Sequence, residues 1–339
     1  MRSIAALSGL VAMFAASSGA DAQTAAEPIT WKFAFAGPAT STNLTGGLQP
    51  WVDDVTRDSG GTLKIQVFVG SVLASIPQVY DRLINGVFEI GYTTQASYGG
   101  VFPGSGVVDL PFQVNDIRKG AVAFWNLYAN GTLASEYAKV MPVALYLYPG
   151  SGLQTRKPIK TLEDLKGMKI GTQGVINSKI MQALGGTPIT MTTTENYEAL
   201  QRNLVDGVQM GFTGFTQFKL QEVTNYHLGV SFGTPAGFTA LNKEAYAKLP
   251  AKAKAAIDRH SGEPFSARMG RALYATAETQ YNDVKAMAGH TMYNLEPKEF
   301  ARWKERTKPI AEEWIANTPN GAKIVASFKE ELTKAGDGL

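Results

Sequence analysis

The chain has 339 residues, of which 44% are hydrophobic and 18% charged, the balance of a soluble protein with room for two domains. A formal net charge of +3, without any basic run, argues against nucleic-acid or membrane-surface binding. The absence of cysteine removes disulfides, thiolate chemistry and a lipid-bearing N-terminal cysteine.

Residues 1–22 read as a secretory signal peptide. Arg2 supplies the positive start, Leu7 to Ala16 is mostly apolar, and Ala20-Asp21-Ala22 fits a small-x-small cleavage site, with the cut after Ala22. No other apolar run reaches about 18 residues, so no membrane span is expected. An exported chain without an anchor belongs in the periplasm or outside the cell.

After a polar leader, Trp31 to Ala36 reads as a strand ending at the turn signal Gly37-Pro38. Ser41 or Thr42 can cap a helix with the stripe Leu44, Leu48, Trp51 and Val55. Pro50 would cost roughly 3 kcal/mol inside it, so a kink or a late start is expected. Thr62 to Val69 is a strand. Ile76, Val79, Tyr80, Leu83 and Ile84 mark a helix, and Phe88 to Thr93 is a third strand with Thr94, Gln95, Ser97 and Tyr98 at its end. This is a β-α-β-α-β unit. A loop from Gly99 to Pro111 follows, then a helix towards Tyr128 and another over Leu133 to Lys139. Val143 to Tyr148 is β-prone and leads through Pro149 to Gly152 into Leu153-Gln154-Thr155, a stretch that can cross between units.

Thr161 to Phe218 repeats the plan. Met168 to Ile170, Thr187 to Met191 and Val208 to Phe212 are β-prone. Between them lie a helix with the stripe Val175, Ile176, Ile180 and Leu184 and a second with Tyr197, Leu200 and Leu204, started by the capping-box spacing Thr192-x-x-Glu195. Alternation of this kind predicts parallel sheets with right-handed crossovers and ligands beyond the carboxyl ends of the strands. Those ends are Gly171 to Gly174 and Gly211 to Thr213. Beyond Phe218, Val230 to Thr234 and Phe238 to Leu241 read as strands. The remainder is mostly helical, with long patterns at Pro264 to Ala288, Pro297 to Ile315 and Gly321 to Lys334.

Catalytic constellations are scarce. His227, His260 and His290 are scattered, and no phosphate loop, dinucleotide fingerprint or nucleophile elbow occurs. No cofactor is implied and the chain does not read as an enzyme. Polar and aromatic groups gather instead at strand ends: Thr94 and Tyr98, Gln154, Gln173 and Thr213, with Met210 as an apolar neighbour. Small-molecule sites need a few convergent polar groups on an apolar wall. Phe212, Phe215 and Phe218, spaced by three, fit a core better than a ligand.

Three stretches carry a family resemblance: Ser59 to Ile65, Lys157 to Ile170 (KPIKTLEDLKGMKI), and Tyr197 to Leu200 with Val205-Asp206-Gly207. The chain resembles the dicarboxylate-binding solute receptors of TRAP (tripartite ATP-independent periplasmic) transporters over about its whole mature length. The resemblance implies an α/β fold: a two-domain periplasmic-binding-protein flytrap with hinge-crossing strands and a helical C-terminal region. It places residues 28–150 plus about 230–275 in domain I and 151–229 plus about 276–335 in domain II. It also implies a periplasmic monomer that captures a small-molecule solute and delivers it to the small and large subunits of a membrane permease, driven by sodium and not ATP. No metal or nucleic acid enters. The family usually has Arg directly after K-G-x-K-I/L, paired with a ligand carboxylate. Here Gly171 stands there, Ser151 occupies the place of a frequent second Arg, and Val208 to Gly211 replaces the usual Q-E-N-P. The expectation is a pocket that recognises its ligand by neutral polar groups, Thr94, Gln154, Gln173 and Thr213, although organic acids are the family's common cargo. An exported enzyme on the same scaffold and a receptor that signals to a membrane sensor are the competing readings.

Overall fold

The computed structural model describes residues 27–337. The signal-peptide reading of residues 1–22 lies outside the described residues. The strands form two sheets. The first holds β1 (Ile29–Phe35), β2 (Leu63–Val69), β3 (Ile90–Thr94), β4 (Met141–Leu147) and β10 (Ala236–Leu241) in the order β2-β1-β3-β10-β4. The second holds β5 (Gly152–Thr155), β6 (Lys169–Thr172), β7 (Thr187–Thr190), β8 (Gly207–Met210), β9 (Tyr226–Leu228) and β11 (Thr291–Tyr293) in the order β11-β9-β5-β8-β6-β7. In each, three consecutive strands run parallel with the first in the middle: β2-β1-β3 and β7-β6-β8. Each trio is then flanked by an antiparallel strand, β10 or β5.

Those two flanking strands each follow a crossing from the other sheet. Residues 148–151 lead from β4 to β5, and residues 229–235 lead from β9 to β10. The crossings hold each other: Tyr148 N donates to Pro235 O at 2.8 Å, Ser151 N to Gly233 O at 3.2 Å and Phe232 N to Ser151 O at 3.3 Å. They approach so closely at Gly150 that a Cβ there would fall 1.6 Å from Ser231 Oγ. Val230 to Thr234 is therefore extended without being a strand, because its donors go to mixed partners such as Val108 O and not to one ladder.

Helices follow local chemistry. Pro50 sits in the first turn of Gln49–Asp58, where its missing N–H is not needed, and a π-helical turn at Leu44–Leu48 precedes it. Thr192 and Glu195 form the capping box, the Glu195 carboxylate accepting from Thr192 N at 2.6 Å. The helix that follows ends at Gln201, and Asn203 turns the chain at φ 57, which leaves Leu204 59% exposed instead of on the buried stripe. Val175 is likewise exposed, and Asn177, Ile180, Met181 and Leu184 face inward.

Trp51 stacks on Phe265 (centroids 4.9 Å apart, planes 2° apart) in the core beneath the first sheet. Phe232 stacks on Trp303 in a core of the second. The helix Glu263–Ala286 serves both: Phe265, Met269 and Leu273 lie in the first core, and Val284 joins Leu200, Val208 and Phe215 in another. The last helix, Gly321–Lys334, differs from the sequence expectation. Its Ile324, Phe328 and Leu332 belong to the core of the first sheet, packed by Ile117–Ala129, not to the second unit.

The histidines are not all scattered. His227, buried, places Nδ1 2.7 Å from Gln154 Oε1 and Nε2 2.9 Å from His290 Nδ1. Gln154 Nε2 donates to Met210 O at 2.7 Å, so its Oε1 must accept and His227 Nδ1 carries the proton. Burial first, and His290 second, hold the His227 pKa down at about 4. Between about 4 and the ordinary 6.5 the unfolded chain binds a proton that the folded chain refuses. Stability is therefore expected to fall as pH drops through that window. Thermal melts from pH 7 to 4 should show a steeper decline for wild type than for His227→Gln; equal slopes would contradict this placement of the ring.

Candidate functional site

A cavity of about 340 Å³ opens between the two sheets, within the range of small-molecule sites. It is built where the parallel strands end. From the first sheet come Phe35 to Pro38 at the end of β1, and Tyr92 to Thr94 from β3. From the second come Gln173 after β6, Gln209 to Gly211 at the end of β8, and Thr213 beyond. The crossing segments add Tyr148, Pro149, Ser151 and Pro235. The placement is the one that parallel topology dictates.

Its walls are aromatic and amide-rich. Phe35 lies 5.1 Å from Tyr92, ring centre to ring centre. The Tyr148 hydroxyl donates to the Tyr92 oxygen at 2.7 Å, and Asn43 Nδ2 donates to the same oxygen at 3.2 Å. Burial raises the Tyr92 pKa to about 12 and pushes Tyr148 well above the ordinary value, so both phenols stay neutral at any physiological pH. Across the cavity, Gln209 Nε2 donates to Asn177 Oδ1 at 2.7 Å, and Asn177 Nδ2 donates to Gln173 O at 3.0 Å. Among the described residues, no Asp, Glu, Lys, Arg or His lines this cavity.

Of the residues singled out from sequence, Thr94, Gln173, Met210 and Thr213 meet around the cavity. Three do not. Tyr98 faces the adjoining cavity, its hydroxyl held by Ile76 O, Thr93 Oγ1 and Tyr80 N. Gln154 is fully buried behind the wall, bonded to Met210 O and His227. Gly171 is also buried, with no room for a side chain beside it: a Cβ would meet Met191 Sδ at 2.9 Å and Val208 Cγ1 at 3.0 Å. Phe218 lines the cavity, although the spacing by three suggested a core; Phe215 does lie in the core. Sequence reading missed Tyr92, Tyr148 and Gln209. Tyr92 and Gln209 sit inside strands, and only the rule that ligands meet strand ends could have singled them out.

A second cavity of about 260 Å³ shares Gln173 and Asn177 with the first. Asp109 faces it, its Oδ1 without a protein partner and its pKa pushed up to about 7 by burial. No group of three or more His, Cys, Asp or Glu among the described residues could hold a metal ion. Two elements are tied to the main cavity from behind by the long helix: Thr276 Oγ1 meets Thr42 Oγ1 at 2.5 Å, and Gln280 Nε2 donates to Thr213 O at 3.2 Å.

A family model described as bacterial extracellular solute-binding protein, family 7 (DctP) matches residues 35–318. The C4-dicarboxylate-binding periplasmic protein DctP of Rhodobacter capsulatus is 24% identical, with 95% of this chain and 97% of that protein covered. The crystal structure of a TRAP solute-binding protein from Rhodoferax ferrireducens T118, in complex with copurified benzoate, superposes with a TM-score of 0.86 at 25% identity, over 91% of this chain and 98% of that one. A marine-metagenome TRAP solute-binding protein specific for aromatic acid ligands, solved with metahydroxyphenylacetate, also gives a TM-score of 0.86, at 23% identity over 91% and 99% of the two chains.

The packing around Gly171 yields a direct expectation. Gly171→Arg should not open a carboxylate site but overpack the strand, lowering the free energy of unfolding by roughly 1–3 kcal/mol. Chemical denaturation measures it; an unchanged midpoint would show that the position is open.

Proposed function

Since the chain belongs to family 7 of the bacterial extracellular solute-binding proteins, the DctP family, we propose that the cavity between its sheets is where it captures its solute, in the periplasm, for handover to a TRAP permease. It is a receptor of TRAP type, with the two-domain α/β fold of those proteins, and not an enzyme. The single observation behind the proposed site is the cavity itself: it lies between the carboxyl ends of two parallel trios joined by crossing chains, where closing the sheets would enclose whatever lies between them.

Thr94, Gln173, Met210 and Thr213 are proposed contacts, joined by Tyr92 and Gln209. Phe35, Tyr92 and Phe218 give the walls the flat apolar surfaces that suit an aromatic body, the kind of body borne by the benzoate and metahydroxyphenylacetate of the two solved proteins. We further propose that the sheets head two domains divided within residues 148–151 and 229–235, that the final helix belongs to the first, and that the receptor works as a monomer with the small and large permease subunits.

Mass spectrometry of protein taken gently from its native periplasm should reveal one small organic molecule in stoichiometric amount. Removing it should lower the melting temperature and returning it should restore it, with stabilisation of about 2.7 kcal/mol at a hundredfold excess over Kd. A molecule that is chemically converted on incubation would contradict the receptor reading.

A further inference from the structure

The receptor reading leaves the charge of the solute open, and the orientation of two side-chain amides, set by the main-chain carbonyl of Gln173, bears on it. The Gln173 carbonyl can only accept, so Asn177 must turn its Nδ2 towards it, at 3.0 Å. That turns Asn177 Oδ1 towards Gln209, which must answer with Nε2, at 2.7 Å. The chain of bonds thus forces Gln209 to present Oε1 at its far end. This oxygen has no partner in the protein, and Gln209 is only 3% exposed on the cavity wall. A buried acceptor left unpaired is costly, and a donor on the ligand would recover that cost.

A carboxylate is a poor match for this wall. Its oxygens are acceptors only and would face another acceptor. Its charge would be desolvated with no cation among the residues lining the cavity, where a buried ion needs a paired one. Position 171 supplies no guanidinium and Met191 fills its surroundings; Ser151 is neutral. The acid in the adjoining cavity, Asp109, supplies no positive charge. On the first sheet's side, the Tyr92 oxygen already accepts from Tyr148 and Asn43, which leaves its own proton to donate. The two walls together suit a head group that both donates and accepts without charge, such as a primary amide or an alcohol.

Building on the receptor reading, we propose that the cleft selects an uncharged solute bearing an N–H or O–H donor on a small apolar body, with Gln209 Oε1 as the specificity-determining acceptor. Acids of the same shape are excluded because no cation among the described residues lines the cleft to receive them.

The test is calorimetric titration of ligand-stripped protein with benzamide, benzyl alcohol, benzoate and N,N-dimethylbenzamide. Benzamide and benzyl alcohol should bind at least tenfold more tightly than benzoate, and also than dimethylbenzamide, which keeps the carbonyl but lacks the N–H. In Gln209→Met the preference for benzamide over its dimethyl form should collapse to within about threefold. Benzoate as the tightest of the four, or equal binding of the two amides by wild type, overturns the inference while leaving the receptor reading intact. The wild-type comparison decides even if the variant folds poorly. Where none of the four binds, the molecule carried from the periplasm decides: a neutral donor supports the inference and an anion overturns it. If no molecule is carried and no member of a library spanning both charge classes shifts the melting temperature, the receptor reading falls, and this inference with it.

Discussion

Everything about the site depends on how the chain passes between the sheets. Residues 148–151 and 229–235 run side by side and bond to each other through Tyr148, Ser151 and Phe232. The close approach at Gly150 leaves no room for a side chain. Because β5 and β10 are entered directly from these crossings, each sheet must place its parallel trio beyond an antiparallel strand. The carboxyl ends of both trios then border one cavity, and the crossings themselves supply part of its wall. The long helix bonds to the turn after β1 through Thr276 and to the turn after β8 through Gln280, so one helix touches both walls. Closure on a ligand is proposed to turn about these crossings.

The second constraint is electrostatic. A closed cleft has low effective dielectric, so each buried polar group must be matched or it opposes closure. Here the polar groups of the wall are neutral: two phenols held protonated by burial, the amides of Asn177 and Gln209 bonded in series to the Gln173 main-chain carbonyl, and several hydroxyls. The relay behind it, from Met210 O through Gln154 to His227 and His290, fixes the end of β8 in place and with it the neighbouring Gln209.

Much of the fold could be read from the sequence because it rests on local signals. Both β-α-β-α-β units, the Thr192–Glu195 capping box, the Pro50 boundary and the helix Gly321–Lys334 follow from periodicity and caps. The final helix packs on the first sheet's core and not where the sequence places it, because its apolar stripe, Ile324, Phe328 and Leu332, says that it packs but not against what. Val230 to Thr234 has strand composition, yet its hydrogen bonds are settled by what lies beside a crossing. The site was only partly legible for the same reason. Thr94, Gln173, Met210 and Thr213 stand at strand ends and could be placed by topology. Gln154 is as polar as Gln173 but points behind the wall, a matter of register across β5 and β8. Gly171 can present no cation, and the sequence gives no sign that Met191 and Val208 pack against it and leave no space there.

The central claim is that the two sheets close around a solute, and small-angle scattering tests it most directly. Protein stripped of its solute and protein saturated with the molecule recovered from the periplasm should give different curves, with a smaller radius of gyration for the loaded form. Superimposable curves at saturation would contradict the account.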